Sequence, residues 1–311
     1  MFIRRHWWAV FYSIFLIAFT VYLAMDTFVI TRVYTVVTET NSETESGTES
    51  TAAFDTEEKN EIDSDTEAVV SETAYIDENI QITITEYREY DTSIYVADII
   101  LSSPEYLQTA FAQNAYGRNV TEKTSEIAES EGAILAINGD YYGAQEDGYV
   151  FRNGVLYRNT SSSGQEDLVI YEDGSFAIIN ETDVTAEELL ADGAQQVLSF
   201  GPALIENGTV VVSENDEVGK AKTSNPRTAI GIVDNLHYMF VVSDGRTDEN
   251  AGLSLLQLSE FMKEFGVTTA YNLDGGGSST MYFNGKVINN PTTNGRSIAE
   301  RSVSDIVYIG Y

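Results

Sequence analysis

The sequence predicts an α+β protein: one β-rich domain with a mixed sheet and a few helices, preceded by a transmembrane helix and a disordered acidic linker. Three observations predict it. Trp7–Met25 is a run of nineteen residues without a charge. From about Thr38 to Ser71 the chain is Glu, Thr, Ser and Asp with scarcely a large apolar side chain. From roughly Tyr75 onward, short β-branched and aromatic runs alternate with Asn-Gly and Asp-Gly pairs, which mark hairpin turns.

The apolar run is close to the ~20 residues a bilayer span needs. Arg4 and Arg5 precede it, while Asp26 and the acidic stretch follow. The positive-inside rule then puts the N-terminus in the cytoplasm and everything after Met25 outside, a single pass through the cell membrane. A cleaved signal peptide would have a shorter apolar region followed by a small-x-small site. No such site stands out, so an uncleaved signal-anchor is expected. The expected divisions are 1–30 for the cytoplasmic tip and anchor, 31–74 for the linker and 75–311 for the folded domain.

The net charge of -32 is unevenly placed. Thr38–Asn79 holds fourteen acidic residues against Lys59 alone. Such a stretch cannot bury enough apolar surface to offset its ordering entropy, and it repels itself, so a spacer is expected there. From Ile80 to the end, 34 acidic residues face 13 basic ones. That surface repels nucleic acid, whose binding rests on phosphate neutralisation by Lys and Arg. An anionic substrate must be held by a local arginine cluster or a cation.

Within the domain, hairpin turns are expected at Asn153-Gly154, Asp173-Gly174, Asn207-Gly208 and Asn284-Gly285. Strands are expected at Ile80–Thr85, Ile94–Leu101, Ala133–Asn138, Ser175–Ile179, Thr228–Val233, His237–Ser243, Thr269–Leu273 and Ser304–Ile309. A helix is expected over Ser254–Phe265: Ser254 caps it, Leu255, Leu258, Met262 and Phe265 form an apolar stripe, and Gly266 stops it. Shorter helices are expected over Thr121–Ser130 and Thr185–Ala191.

The chain has no cysteine, and its only histidines are His6 and His237. Disulfides, thiolate nucleophiles, multi-histidine metal sites and a His-carboxylate triad are thereby excluded or nearly so. His237 reads as a strand residue at a core edge, without a catalytic role. Chemistry must come from carboxylates, arginines, hydroxyls, amides and backbone N–H groups.

Four segments supply them. In Ala270-Tyr-Asn-Leu-Asp-Gly-Gly-Gly-Ser-Ser-Thr280 a strand delivers Asn272 and Asp274 to its end. Gly275, Gly276 and Gly277 then allow close backbone approach to a ligand, with Ser278 adding a hydroxyl. A plain turn needs one or two glycines. In Ala136-Ile-Asn-Gly-Asp-Tyr-Tyr-Gly143 a second strand runs into Asn138 and Asp140, followed by tyrosines that could stack on a sugar; a simple polar turn reads equally well. Asn225-Pro-Arg-Thr-Ala-Ile-Gly231 offers Arg227, and Ser243-Asp-Gly-Arg246 offers Asp244 and Arg246. Guanidinium forks suit phosphate or carboxylate, although a lone arginine is more often an ion-pair partner. Arg296 and Arg301 lie in a disordered-looking Thr-Asn-Gly segment before the last strand.

At these residues the chain resembles the phosphodiester glycosidase family. The resemblance runs from Asn138-Gly-Asp-Tyr-Tyr through Asn225-Pro-Arg-Thr-Ala-Ile-Gly, Ser243-Asp-Gly-Arg and the helix Leu253–Phe265. It continues through Asn272-Leu-Asp-Gly-Gly-Gly-Ser-Ser-Thr-Met281 to Arg301-Ser-Val-Ser-Asp-Ile-Val307. Many relatives read Asn-Gly-Gly-Phe-Phe where this chain has Asn138-Gly139-Asp140-Tyr141-Tyr142. The resemblance implies an α+β fold and hydrolysis of a sugar-1-phosphodiester.

On that reading the anomeric C–O bond breaks with phosphate as leaving group, so strong general-acid help is less needed than for an ordinary glycoside. Asp274 is the expected nucleophile or base, with Asp244 and Asp140 as further catalytic candidates. Arg227, Arg301 and the Gly275–Ser278 backbone form the expected phosphate cradle, Asn138 and Asn272 the sugar contacts, and Tyr142 and Arg246 further substrate contacts. The sequence implies no definite cofactor. The oxygen-only inventory would suit Ca²⁺ or Mg²⁺ on Asp274 with Asp244 or Asp140. The expected partners are a carbohydrate phosphodiester in a surface glycan or exopolysaccharide and the lipid bilayer. Two other readings stay open: a module that binds wall or capsular polymer without cleaving it, and a phosphodiesterase that breaks the P–O bond of a teichoic-acid-like polymer.

Overall fold

The computed structural model describes residues 7–34, 68–214, 216 and 224–311. Most of the expected acidic spacer, residues 35–67, lies outside the described residues. The apolar run is a helix, Trp7–Phe28. A window of it from Trp7 to Thr27 has mean hydropathy 2.0 and no burial against the domain, as a span requires by length and composition.

The domain is β-rich α+β. Every pairing among the described strands is antiparallel, so in place of the mixed sheet expected from sequence there are antiparallel sheets in which local hairpins are joined by pairings between strands distant in sequence. The largest sheet has nine strands. Its order is Thr209–Val210, Ala203–Glu206, Thr269–Asn272, Arg227–Asp234, His237–Ser243, Thr92–Leu101, Ile80–Glu89, Ala74–Ile76 and Val69–Val70. The described edge thus begins at Val69, ahead of the expected boundary at residue 75. A second sheet orders Lys286–Val287, Met281–Phe283, Leu135–Asn138, Asp305–Ile309 and Leu107–Phe111. A third orders Val155–Arg158, Val150–Arg152, Ala194–Leu198, Glu166–Tyr171 and Phe176–Asn180.

The turn chemistry explains the hairpins. Asn153, Asn207 and Asn284 adopt positive φ, as do the glycines that follow them, which is the backbone a type I′ hairpin demands. Both faces of the large sheet are covered. On one, Val96, Ala229, Met239 and Val241 pack with Leu255, Leu258, Phe261 and Met262 of the helix Leu255–Glu264. Ser254 caps that helix by accepting from the Gln257 amide, and Gln257 answers at the Ser254 amide. Burying such side chains contributes roughly 1.5–3 kcal/mol each. On the other face, Ile82, Ala97, Ile230 and Phe240 meet Leu135, Ile137, Met281 and Val307 of the second sheet and Leu168 and Leu198 of the third. The helices Thr124–Ser130 and Ala186–Ala191 cover the outer faces of the second and third sheets. His237 is half-buried at the start of a central strand of the large sheet, its Nε2 2.6 Å from Asp98 Oδ1.

Buried charge interrupts this apolar layering. Arg152 Nη2 lies 2.9 Å from Asp140 Oδ2 and 2.6 Å from Asp305 Oδ2, all three side chains being out of solvent. Burial and the neighbouring Asp140 push the Asp305 carboxyl up to about 8. Asp167 is also fully buried. Burial and the adjacent Glu181 carboxyl push it up to about 9. Asp167 therefore holds a proton in the folded protein that the unfolded chain releases near pH 4. The sign follows: its contribution to stability is fully present below pH 4 and is lost as pH rises toward about 9. The melting temperature should be higher at pH 5 than at pH 9, and Asp167→Asn should flatten that difference. A variant as pH-sensitive as the parent would refute the assignment.

Candidate active site

Two strand ends from different sheets meet at the site. Leu135–Asn138 runs out of the second sheet beside Thr269–Asn272 of the nine-stranded one. The Asp274 amide donates to Gly139 O at 3.3 Å, and Asn138 Nδ2 donates to Asp274 O at 2.6 Å. Asn138 Oδ1 accepts from Thr228 Oγ1 at 2.8 Å and from the Thr280 amide at 3.3 Å. Asn138 is buried with both ends of its amide in use, so it joins the strands that position Asp274 and has no group left for the sugar hydroxyl expected from sequence.

Asp274 presents its carboxylate at the mouth of this junction. Oδ2 accepts from Ser278 Oγ at 2.6 Å and from Arg301 Nη2 at 2.7 Å, while Arg301 Nε donates to Ser278 Oγ at 2.8 Å. The Asp274 side chain keeps 13% of its surface exposed and Arg301 keeps 40%. Burial raises the Asp274 pKa, and the Arg301 charge is the main influence opposing it.

Arg246 completes the charge arrangement. Its φ of 65° is unusual for a side chain of this size and turns the guanidinium back over the glycines. Nε and Nη2 donate to Asn225 Oδ1 at 3.2 and 3.0 Å, and Nη1 donates to Thr293 O at 2.7 Å. Gly276 is required twice over: its φ is +64°, and a Cβ there would meet Arg246 Nη2 at 2.7 Å. Burial and the charge of Arg301 lower the Arg246 pKa, while Asp274 opposes the shift, so these three groups act on one another. Arg227 lies buried underneath, its Nε donating to Leu253 O at 2.9 Å and its Cδ 4.0 Å from where a Gly275 Cβ would stand.

The other expected groups are placed elsewhere. Asp244 is buried and accepts from the Asn290 amide and Asn290 Nδ2, both at 2.8 Å, and from Asn289 Nδ2 at 3.2 Å. It fastens the loop after Ile288 and does not face a substrate. Asp140 is held by Arg152, the Ser199 amide and the Tyr142 amide. Asn272 donates to Gly201 O at 2.7 Å from a buried position. Tyr142 is buried too, stacked on Tyr116 at 5.5 Å, so the ring free to meet a ligand is Tyr141, 44% exposed. Of the glycine-loop amides, Gly276 donates to Pro226 O, Ser278 to Gly275 O, and that of Gly275 lies on the Asp274 carboxylate, while Arg301 and Arg246 are the charged donors beside the loop. A cleft of about 560 Å³ between Ile84, Glu86, Tyr95, Phe283 and Lys286 contains none of these residues.

A divalent cation does not fit the acids proposed for it. Arg301 already neutralises Asp274, Asp244 is saturated by amide donors, and Asp140 is locked onto Arg152. Among the described residues no three His, Asp or Glu side chains are grouped to bind a metal ion.

Sequence reasoning singled out neither Asn225 nor Thr293, which hold Arg246, and of the two tyrosines it offered for sugar stacking the exposed one is Tyr141. The segment around Arg296, which looked disordered, is folded: the Ala299 amide donates to Pro291 O at 2.8 Å, and Thr292 Oγ1 donates to Ser297 O at 2.8 Å. Its Asn290-Pro291 and Asn294-Gly295 pairs were the available signal of a built turn.

Comparison with known proteins agrees with this geometry. Residues 131–310 match the family described as phosphodiester glycosidase. A prophage-derived, uncharacterised protein of Bacillus subtilis is 26% identical over 201 residues, covering 63% of this chain and 31% of that protein. The N-acetylglucosamine-1-phosphodiester alpha-N-acetylglucosaminidases of mouse and human are 27% and 29% identical, over 54% and 56% of this chain and 35% and 36% of theirs. The chain thus spans about a third of the length of these relatives. The catalytic domain of the zebrafish enzyme of that name, auto-inhibited by its pro-peptide, superposes with a TM-score of 0.60 at 22% identity, covering 75% of this chain and 83% of that one. A hypothetical protein from Synechocystis superposes at 0.52 with 15% identity over 75% of this chain and 62% of its own, and both superpositions speak to the fold alone. With the family match covering more than half the chain, from Glu131 to Gly310, the protein belongs to the phosphodiester glycosidase family.

Proposed function

We propose that the protein hydrolyses a sugar-1-phosphodiester at the outer face of the cell membrane, held there by a single uncleaved span with its N-terminus in the cytoplasm. The observation that carries the activity is Asp274, a partly exposed carboxylate at a strand end with Arg301 bound to it and Arg246 within electrostatic reach. Asp140, Asp305 and Asp244 are all buried and engaged, so Asp274 is the acid able to reach a substrate. A single available carboxylate suits a phosphate leaving group, which departs as a stable anion without a second acid to protonate it. Arg301 and Arg246 stabilise the phosphate as its charge develops, and Tyr141 offers a face to the sugar. Asp274 acts on the anomeric carbon as nucleophile or as base to water. In surface terms the substrate is a glycan or exopolysaccharide bearing such a diester.

Hydrolysis in ¹⁸O-labelled water tests this against P–O cleavage. The label should appear on the anomeric carbon of the released sugar. Label in the phosphate would overturn the glycosidase reading in favour of a phosphodiesterase.

A further inference from the structure

We propose that the diester's second substituent is a membrane-embedded lipid, so that the enzyme removes a sugar from a lipid phosphate lying in the same bilayer as its anchor. This rests on the sugar-1-phosphodiester reading above and names its substrate class. The starting observation is that the anchor is not tethered loosely. Beyond its last turn the chain is fastened to the domain within six residues.

Asn119 makes the attachment. It sits at φ 56°, and its Nδ2 donates to Thr27 O at 3.3 Å and Ile30 O at 3.1 Å, satisfying carbonyls at and just beyond the helix C-terminus. Thr31 Oγ1 donates back to Asn119 O at 3.4 Å. Arg32–Val33 then pairs antiparallel with Gly117–Arg118. The Tyr34 amide donates to Tyr116 O at 2.9 Å, and the two rings lie 5.7 Å apart. Six residues reach at most about 20 Å when extended. The acidic stretch from residue 35 onward therefore cannot set the distance between membrane and domain, because residues 32–34 have already set it.

The same attachment leads to the site. The Asn119 amide donates to Gly143 O at 3.1 Å, and Gly143 belongs to the turn whose Gly139 O accepts from the Asp274 amide. The mouth of the site has apolar tips on two loops: Tyr141, 44% exposed, beside Gly139, and Ile298, 57% exposed, on the loop whose Thr293 holds Arg246. The helix itself stands clear of the domain along its apolar length. Exposed apolar and aromatic tips on the loops that carry the site, in a domain fastened at the end of a span, suit the headgroup layer of a bilayer. A phosphate at that depth meets Arg246 and Arg301. In the reaction the C1–O bond breaks and water oxygen bonds to C1. The phosphate monoester stays on the lipid, and the proton released by water passes to Asp274 and then to solvent.

The test uses the full chain in phosphatidylcholine vesicles with two probes, N-acetylglucosamine-1-phosphate esterified to a hexadecyl chain or to methyl. Tyr34→Pro removes the amide donor to Tyr116, Asn119→Gly keeps the backbone but deletes the amide that holds the helix end, and Ile298→Asp charges the rim. Each should cleave the vesicle-embedded hexadecyl ester roughly tenfold or more slowly than the parent, because effective concentration is lost, yet match the parent on the soluble methyl ester. Equal rates of parent and variants on the hexadecyl ester would overturn the proposal, as would a parent that cleaves the methyl ester alone. Cleavage of neither ester by the parent would instead defeat the underlying activity on this sugar. As a readout independent of turnover, the Tyr34 amide in vesicles should be protected from hydrogen exchange, and exchange at the free-chain rate would sink the attachment.

Discussion

Asp274→Asn should lower turnover of a sugar-1-phosphodiester by roughly a thousandfold or more while leaving the protein folded. Asparagine keeps the size and can still accept from Ser278 Oγ and Arg301 Nη2, which both contact the native carboxylate. What it lacks is the charge that attacks, or takes a proton. A residue that merely balanced the nearby arginines would cost about 10–100-fold by comparison. The competing account is that Asp274 fixes the glycine turn by accepting amides of Gly276 and Gly277. The structure weakens it, since the Gly276 amide donates to Pro226 O at 2.8 Å. Turnover and melting temperature measured on one preparation separate the two accounts. Near-parental turnover in a stable variant would end the proposal for Asp274. Loss of activity only in proportion to a lowered melting temperature would return the residue to a structural role.

How much of this was legible depends on whether a signal is local. The helix Leu255–Glu264 was readable because Ser254, the apolar spacing and Gly266 all lie within fourteen residues. The Asn-Gly hairpins were readable for the same reason. Asp274 and its glycines announced themselves by a pattern that no ordinary turn needs. The arginines were visible as residues but not as a group, because Arg246 reaches Gly276 only through a left-handed backbone and two holders, Asn225 and Thr293, distant in sequence. Asn138 and Tyr142 had the right chemistry for a ligand and the wrong side of the fold, since burial is decided by the partner sheet and not by the motif. Strands such as Ala194–Leu198 and Glu166–Tyr171 were missed where charged and amide side chains interrupt the alternation; Asp167 and Gln196 are buried there. The Arg152 cluster was least legible of all, its members coming from three separate segments.

That cluster carries the second large effect. Arg152→Met should destabilise the domain by about 3–5 kcal/mol, the usual consequence of leaving buried carboxylates without their cation. Arg152 does more than pair with Asp140 and Asp305, because its Nη1 also donates to Phe151 O at 2.8 Å and Val197 O at 2.6 Å. Methionine fills much of the volume but supplies none of these donors, and Asp140 and Asp305 would then face each other across a dry interior. For a domain of this size the expected fall in melting temperature is on the order of 10 °C. The effect should reach the site as well. Asp305 O accepts from the Gly139 amide at 2.9 Å, and Gly139 O in turn accepts from the Asp274 amide. Adding Asp140→Asn to Arg152→Met removes the acid that loses its cation and should recover part of the loss, which a defect of packing alone would not. Calorimetry of the single and double variants at pH 7 decides the matter. A single variant that melts with the parent, or a double variant no better than the single, would show that the charges are not what holds this part of the core.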